Sequence, residues 1–287
     1  MLKIAVTLVL YNTDKQELNN VISACVNSTV LVDIYLIDNS PNDNLSYLDS
    51  DKRVNYFKSE HNGGFGYGHN TIIRRFKLLD SYDYCLVINP DIEFNFEVIE
   101  KISKYMEQNT GVGVLMPKIL NHDGSLQFAR RLLPSPFDII RKKILPHFLH
   151  PKKYEMIDYE PNKPIKIVGL CGCFMFLRID ALKVVGLFDE RYFMYFEDTD
   201  LCDRVVTSGH EIIETSDSFC THYKAISSSN SLRYAYRTMT AFKFSELYYF
   251  SKYERKYVLR IYLHLFDYLF CVPYLFSNHI VQVLFSI

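Results

Sequence analysis

The sequence predicts an α/β fold, in which a mostly parallel central sheet is flanked by helices and followed by a C-terminal helical appendage. Short apolar runs alternate with segments of helical periodicity through the first 116 residues, and turn-forming residues follow several of the runs. Strands that alternate with helices build parallel sheets covered on both faces. We therefore assign residues 1–230 to one α/β domain and residues 231–287 to the appendage.

Each element of that prediction rests on a local pattern. The predicted strands are the apolar runs at residues 4–10, 32–37, 54–57, 84–88 and 112–116. Thr13 and Gln16 have the spacing of a capping box, which predicts that Thr13 caps the first helix. A second helix is predicted between the third and fourth strands, because Ile72, Ile73, Phe76 and Leu79 fall on one helical face. A third helix is predicted over residues 96–106.

Composition and charge narrow the class of protein. The 287 residues are 48% hydrophobic and 23% charged, which is typical of a globular protein, and the net charge of −1 gives no reason to expect a nucleic-acid partner. Seven cysteines without metal-type CxxC spacing favour reduced thiols in a cytoplasmic protein, with Cys171–Gly172–Cys173 as a weaker redox candidate. Asp14, Lys15 and Glu17 interrupt the N-terminal apolar run, which argues against a secretory signal peptide.

Residues 128–154 form a basic segment in which only Asp138 opposes a run of cations. Those cations are Arg130, Arg131, Arg141, Lys142, Lys143, Lys152 and Lys153. Prolines and large apolar residues separate them. Two interpretations stay open: a solvated surface loop, and a segment that faces a membrane or a phosphate group.

The C-terminal appendage has polar stripes on two otherwise apolar helical patterns. The first stripe is Lys256, Arg260, His264 and Asp267, and the second is Asn278, Gln282 and Ser286. Neither pattern reaches the ~20 uninterrupted apolar residues of a spanning helix. We expect an amphipathic pair lying on a bilayer, with packing against the main domain or in a homodimer as the alternative.

Polar side chains follow four of the predicted strands, at Asn12, Asp38, Asn62 and Asp91. In parallel sheets the ligand sits beyond the carboxyl ends of the strands, so these side chains are expected to line one crevice. The glycine-rich loop from Asn62 to Asn70 opens a helix, where free N–H groups favour anions. It lacks the GxGxxG spacing and does not follow the first strand, so it is not a dinucleotide fingerprint.

Asn89–Pro90–Asp91 ends the fourth predicted strand. Pro90 cannot donate to a strand ladder and fixes the turn, which presents the Asp91 carboxylate at the sheet edge. A divalent cation that bridges two phosphates needs few protein oxygens, so one carboxylate can serve. A turn without any ligand is the alternative.

An acidic cluster begins the last predicted helix of the domain, with four acids in seven residues from Glu197 onward. Asp200 can pair with Arg204 one turn later, which gives those two charges a structural explanation. Glu197 and Asp198 have no such partner and follow a cluster of aromatic residues. Carboxylates in apolar surroundings tend toward a raised pKa, which suits a general base.

Taken in order, these motifs resemble the inverting family 2 glycosyltransferases of GT-A fold, and in particular the rhamnosyltransferase-like branch of bacterial surface polysaccharide synthesis. The resemblance covers about residues 3–225. It rests on the segments Tyr11-Asn12, Asp38-Asn39-Ser40, Asn62 to Asn70, Asn89-Pro90-Asp91 and Gly186 to Arg204.

The resemblance implies a role for each site residue. Residues 1–116 would be the nucleotide-binding half and residues 117–230 the acceptor and catalytic half. The donor nucleotide would be bound by Tyr11, Asn12, Asp38, Asn39, Asn62, Gly64, Gly66, Asn70 and Asn89. The metal, Mg²⁺ or Mn²⁺, would be held by Asp91 and His222. Asp198 would be the catalytic base, with Glu197 beside it. The acceptor side would be formed by Gly172, Cys173, Asp200 and Arg204.

One residue departs from the family pattern. The usual metal motif has two carboxylates, whereas Asn89 occupies the first position here. Metal binding is therefore expected to be weaker, or to depend on His222 and on the donor itself.

The function that follows is transfer of a sugar, L-rhamnose by resemblance, from a nucleotide diphosphate donor to a lipid-linked glycan, as in O-antigen synthesis. The acceptor would place the protein at the cytoplasmic face of the inner membrane. Two alternatives are a nucleotidyltransferase and a non-catalytic sugar-nucleotide-binding protein. Against the first, no basic glycine loop follows the first strand. Against the second, both Asp91 and Asp198 are present.

Overall fold

The computed structural model describes residues 2–42, 45, 47–48, 54–127, 129–133, 163–223 and 232–253, which fall into two compact units. The strands are β1 (Ile4–Leu10), β2 (Val32–Asp38), β3 (Val54–Lys58), β4 (Tyr84–Ile88), β5 (Ile92–Phe94), β6 (Val112–Leu120), β7 (Arg130–Arg131), β8 (Ile165–Ile167), β9 (Gly169–Leu170), β10 (Phe174–Arg178) and β11 (Glu211–His222). The helices of this larger unit are α1 (Lys15–Val26), α2 (Phe65–Arg75), α3 (Leu78–Ser81), α4 (Glu97–Gln108), α5 (Ile179–Val185) and α6 (Glu197–Thr207). The smaller unit contains α7 (Leu232–Tyr253).

The central sheet has the strand order β3-β2-β1-β4-β10-β6-β11-β5. The first four strands are parallel, and β11 is parallel to β6. Strand β10 is antiparallel to both of its neighbours, β4 and β6, so these two neighbours share a direction. The short strands β5 and β8 both pair antiparallel with β11. Among the longer strands only β10 is reversed, which confirms the predicted mostly parallel sheet.

The core lies along strands that are buried on both faces. Every residue of β4 is buried, and in β1 only Val9 is partly exposed. Tyr84 and Phe176 stack beside them with ring centroids 5.0 Å apart. Each fully buried aliphatic or aromatic side chain contributes about 1.5–3 kcal/mol to folding. The strands therefore hold the loops that follow them in fixed positions.

Two helix boundaries differ from the predicted ones. Asp14, not Thr13, is the N-cap of α1, because its carboxylate accepts the N–H groups of Gln16 and Glu17 at 2.8 and 3.1 Å. The predicted second helix is divided into α2 and α3 at Lys77, which has a φ of 51°. A residue in the left-handed region cannot continue a right-handed helix.

The side chain of Arg130, near the start of the basic segment, is buried and paired, so the interpretation as a solvated surface loop is wrong for this residue. Arg130 donates from Nε and Nη2 to the two carboxylate oxygens of Glu214 at 2.7 and 2.6 Å. Their side chains are only 7% and 4% exposed. A bidentate pair of this kind fixes orientation as well as charge. Residues 134–154 lie outside the described residues.

In the smaller unit, α7 begins just after the predicted domain boundary at residue 230, which stays a prediction. No helix among the described residues is both long and apolar enough to cross a bilayer. The two polar stripes between residues 256 and 286 lie outside the described residues.

Candidate active site

Polar residues from three loops are joined by hydrogen bonds at the carboxyl end of the parallel strands. The backbone N–H of Asn39 donates to the carbonyl of Leu10, which ties the end of β2 to the end of β1. Asn12 donates its N–H to Ser40 Oγ at 2.8 Å. The Asn39 amide donates to Asn62 Oδ1 at 3.3 Å. The sequence-based expectation that polar residues after the strands meet at one edge therefore agrees with the geometry for the loops that follow β1, β2 and β3.

Asp38 stabilises this edge of the sheet through internal hydrogen bonds. Its buried carboxylate accepts hydrogen bonds from Ser40 N at 2.8 Å, Tyr56 Oη at 3.0 Å and Lys58 Nζ at 3.1 Å. Three internal donors favour a structural role for Asp38 over direct contact with a nucleotide. Tyr11, by contrast, is 55% exposed.

The glycine-rich loop is shaped by close contacts with protein. Gly64 has a φ of 90°, and a Cβ placed there would lie 1.9 Å from the carbonyl oxygen of Phe193. A Cβ on Gly66 would lie 2.9 Å from Phe188 Cβ. Phe65 N–H donates to that Phe193 carbonyl at 3.1 Å. The glycines therefore let the loop pack against the chain that leads into α6.

The Asn70 side chain forms hydrogen bonds to the chain between Phe188 and Glu190, which also leads into α6. Its amide donates to the Phe188 carbonyl and to Glu190 Oε1, both at 2.8 Å, and its Oδ1 accepts the Phe188 N–H at 3.1 Å. The side chain is fully buried. Its bonds all join protein to protein, so the structure favours a structural role for Asn70 over the predicted nucleotide contact.

Asp91 and His222 meet because β5 pairs with the end of β11. The register sets His222 opposite Ile92, and Tyr223 N–H donates to the Asp91 carbonyl at 2.9 Å. His222 Nε2 lies 3.4 Å from Asp91 Oδ2. The described residues contain no cluster of three or more metal-ligating side chains. One carboxylate and one imidazole nevertheless fit a metal whose remaining ligands come from a diphosphate and water.

Asp198 is held at the start of α6 with its carboxylate oriented by three donors. Oδ2 accepts the Gly172 N–H at 2.9 Å. Oδ1 accepts from the backbone N–H and the hydroxyl of Thr199 at 2.7 and 3.2 Å. Tyr195 and Phe196, just before it, both have positive φ, at 70° and 68°. Strained backbone of this kind clusters at functional sites.

The segment Gly172–Cys173 is hydrogen-bonded both to Asp198 in α6 and to the turn that carries Asp91. On one side Gly172 N–H binds Asp198, and on the other the Cys173 carbonyl accepts the Asn89 N–H at 3.0 Å. A Cβ on Gly172 would touch Phe65 and Asp198 at 3.3 and 3.4 Å. The segment therefore holds the turn that carries Asp91 close to the start of α6.

Glu197 and Asp198 are neighbours with different surroundings. Burial, and then the charge of Asp198, raise the pKa of Glu197 well above its ordinary value. Glu197 Oε2 is buried and has no hydrogen-bond partner among the described residues. Both effects favour the protonated form of Glu197. Asp198, which only accepts hydrogen bonds, is the group suited to receive a proton.

Two thiols and an arginine lie beside Asp198. A hydrogen bond with Cys173 lowers the pKa of the Cys171 thiol to about 6, and the same contact together with burial raises the pKa of Cys173. Burial lowers the pKa of Arg131, but the Asp198 charge and Cys171 more than offset it. The sequence prediction missed Arg131 as part of the site. Arg131 is one of several cations in the basic segment, and no local sequence pattern distinguishes it from the others.

Asp200 and Arg204 form the predicted pair, with Arg204 Nε donating to Asp200 Oδ2 at 2.9 Å. Arg204 also donates to the carbonyls of Val185 and Gly186 at 2.6 and 3.2 Å. These hydrogen bonds of Arg204 connect α6 to the end of α5. Its role on the acceptor side stays a prediction.

A mostly parallel sheet with glycine-loop, Asn-Pro-Asp and acidic-helix motifs at its carboxyl edge defines the GT-A class of glycosyltransferase folds. The family model described as "Glycosyl transferase family 2" matches residues 6–186. The chain belongs to this family.

Two curated relatives are rhamnosyltransferases. One is the N-acetylglucosaminyl-diphospho-decaprenol L-rhamnosyltransferase of Mycobacterium tuberculosis, 31% identical over 50% of this chain and 48% of the relative. The other is rhamnosyltransferase WbbL of Escherichia coli, 30% identical over 51% of this chain and 56% of the relative. The chain thus spans about half the length of the curated relatives it matches.

A solved structure supports the fold. GalNAc-T7, described with UDP, GalNAc and Mn²⁺, superposes with a TM-score of 0.59 over 78% of this chain and 44% of that chain. Its sequence identity is 14%, so the likeness concerns the fold alone.

Proposed function

We propose that the protein is an inverting glycosyltransferase that moves a sugar from a nucleotide diphosphate to a hydroxyl group of a glycan. The observation that carries this proposal is the Gly172–Cys173 segment, which joins the Asp91 turn to the Asp198 carboxylate through two hydrogen bonds. A site for the diphosphate and a proton acceptor are thereby held side by side. Direct displacement needs both groups at one reacting carbon.

The chemistry assigned to Asp198 is that of a general base. The acceptor oxygen forms a bond to the anomeric carbon, and the bond from that carbon to the diphosphate oxygen breaks. The hydroxyl proton moves to the Asp198 carboxylate, and the nucleoside diphosphate leaves with the electron pair. Attack on the face opposite the leaving group inverts the configuration. The surroundings of Glu197 raise its pKa and favour its protonated form, so Asp198 is assigned the role of base.

Asp91 and His222 are the residues that would hold a Mg²⁺ or Mn²⁺ ion. A bound cation of this kind neutralises charge on the diphosphate. The Mn²⁺ named with the GalNAc-T7 structure supports the proposal by analogy of fold. Asn89 adds an amide in place of a second carboxylate, which reduces the negative charge available to the metal.

L-rhamnose is the proposed sugar, and a lipid-linked glycan is the proposed acceptor. Both are suggested by the names of the relatives, one of which acts on a diphospho-decaprenol substrate. An acceptor of this type would bring the protein to the cytoplasmic face of a membrane. The amphipathic stripes of residues 256–286 are consistent with such a position.

A thermal-unfolding panel tests the donor assignment. We expect dTDP with Mg²⁺ or Mn²⁺ to raise the Tm more than UDP or GDP, because a ligand that binds only the native state stabilises it by about 2.7 kcal/mol at 100 times its Kd. Asp91→Asn is expected to remove the metal-dependent part of the shift. A larger shift with UDP would retain the enzyme class and change the proposed sugar. No response to any nucleotide, with or without metal, would contradict the proposed function.

A further inference from the structure

Both ring nitrogens of His222 face a side-chain oxygen. Nε2 lies 3.4 Å from Asp91 Oδ2, and Nδ1 lies 3.0 Å from Gln127 Oε1. The first distance is longer than the 2.7–3.2 Å of an N–H···O hydrogen bond, whereas the second lies within it. The imidazole is therefore hydrogen-bonded to Gln127 and merely adjacent to Asp91.

The Gln127 contact selects one form of the neutral ring. An amide oxygen can only accept, so Nδ1 must carry the hydrogen. In a neutral imidazole the other nitrogen then has a free lone pair, and that nitrogen is the one beside Asp91. Two electron-pair donors that converge without a hydrogen between them suit a shared cation.

Gln127 is held in place without help from any ligand. Its N–H donates to the Ile119 carbonyl at 2.8 Å, and its own carbonyl accepts the Ala129 N–H at 2.7 Å. Strand β6, which carries Ile119, is paired with β11, which ends at His222. The backbone of Gln127 is therefore hydrogen-bonded to a strand of the same sheet that carries His222.

We propose that Gln127 is a positioning residue for the metal centre, which holds His222 in the tautomer that presents Nε2 to a divalent cation shared with Asp91. The inference rests on the proposed function, because the cation is the one that would accompany a nucleoside diphosphate. Hydrogen-bond partners of metal-bound histidines fix both the ring orientation and the tautomer.

Mn²⁺ binding to the full chain in the presence of dTDP, followed by electron paramagnetic resonance, tests the proposal. Gln127→Leu is expected to weaken Mn²⁺ affinity by about 10–100-fold. Gln127→Glu keeps an acceptor oxygen and is expected to stay within about threefold of the wild type. Gln108→Leu, an exposed glutamine at the end of α4, is the matched control and should change nothing.

A second measurement reads the tautomer itself in the metal-free protein. Long-range ¹H–¹⁵N spectra at pH 8 should show His222 with its hydrogen on Nδ1 in the wild type and in Gln127→Glu. Gln127→Leu should shift the population toward Nε2–H, an effect that a purely structural role would not produce.

The outcomes separate this proposal from the proposed function. If the Gln127→Leu variant bound Mn²⁺ as tightly as the wild type and kept the same His222 tautomer, the role of Gln127 would be overturned. The transferase proposal would remain intact. A wild-type protein that binds dTDP but not Mn²⁺ would do the same. A wild-type protein that binds neither would overturn both.

Discussion

Asp198→Asn is expected to lower the rate constant for sugar transfer by about 10²–10⁴-fold, the contribution of a positioned general base. The amide keeps nearly the same shape and one oxygen acceptor but cannot take up the acceptor proton. Because Asp198 is assigned to proton transfer and not to donor binding, the Kd for the nucleotide should stay close to the wild-type value. Single-turnover kinetics together with nucleotide titration separates the two quantities.

Two companion variants make this result specific. Glu197→Gln introduces a neutral side chain where burial raises the pKa of the Glu197 carboxyl, so the rate of this variant should fall far less than that of Asp198→Asn. Asp180→Asn changes a carboxylate whose side chain is 84% exposed and should leave transfer unchanged. If Asp198→Asn transferred sugar at the wild-type rate, or lost nucleotide affinity as strongly as rate, the assignment of the base would be wrong.

Gly64→Ala is expected to have the largest effect on stability, lowering the free energy of unfolding by more than about 3 kcal/mol. Gly64 has φ 90° and ψ −174°, a backbone region that essentially only glycine adopts, and this conformation alone costs an alanine about 1–3 kcal/mol. The remainder comes from the Phe193 carbonyl, 1.9 Å from the new Cβ, since backbone on one side must move. The segment that moves leads into α6, so transfer should fail as well. Urea unfolding followed by circular dichroism measures the change.

Gly124→Ala is the matched control for this experiment. Gly124 also has a positive φ, 79°, but no atom lies within 4 Å of the Cβ position. It should therefore show the conformational cost of about 1–2 kcal/mol alone. Equal losses in the two variants would mean that Gly64 does not approach Phe193 as described.

The sheet could be predicted in large part because its signals are local. β1, β2 and β4 are apolar runs that need no partner to be recognised, and the polar residues after them mark the ligand edge. The reversed direction of β10 and the presence of the short β5 were not predicted. Their direction and existence depend on pairing with strands distant in the sequence, such as β5 with β11. A three-residue strand has too short a pattern to be read alone.

The candidate site likewise contains residues that a local motif identifies and residues that only contacts between distant segments identify. Asp91 and Asp198 stand in recognisable motifs, whereas Gln127 acquires a role only through His222, 95 residues away. The glycine loop was interpreted as room for a ligand, yet Gly64 and Gly66 make room for Phe193 and Phe188. A glycine signals a close approach, but the sequence does not say which atoms approach it. Fixed contacts between distant segments were the part that only the structure supplies.

The most direct test of the account is the stereochemistry of the transfer itself. The full chain is incubated with a nucleotide diphosphate sugar and a lipid-linked glycan, and the anomeric centre of the product is assigned by NMR. Displacement assisted by Asp198 predicts one released nucleoside diphosphate per transferred sugar and a configuration opposite to that of the donor. A product with the donor's configuration would contradict the proposed mechanism, because a single displacement from the face opposite the leaving group cannot retain that configuration.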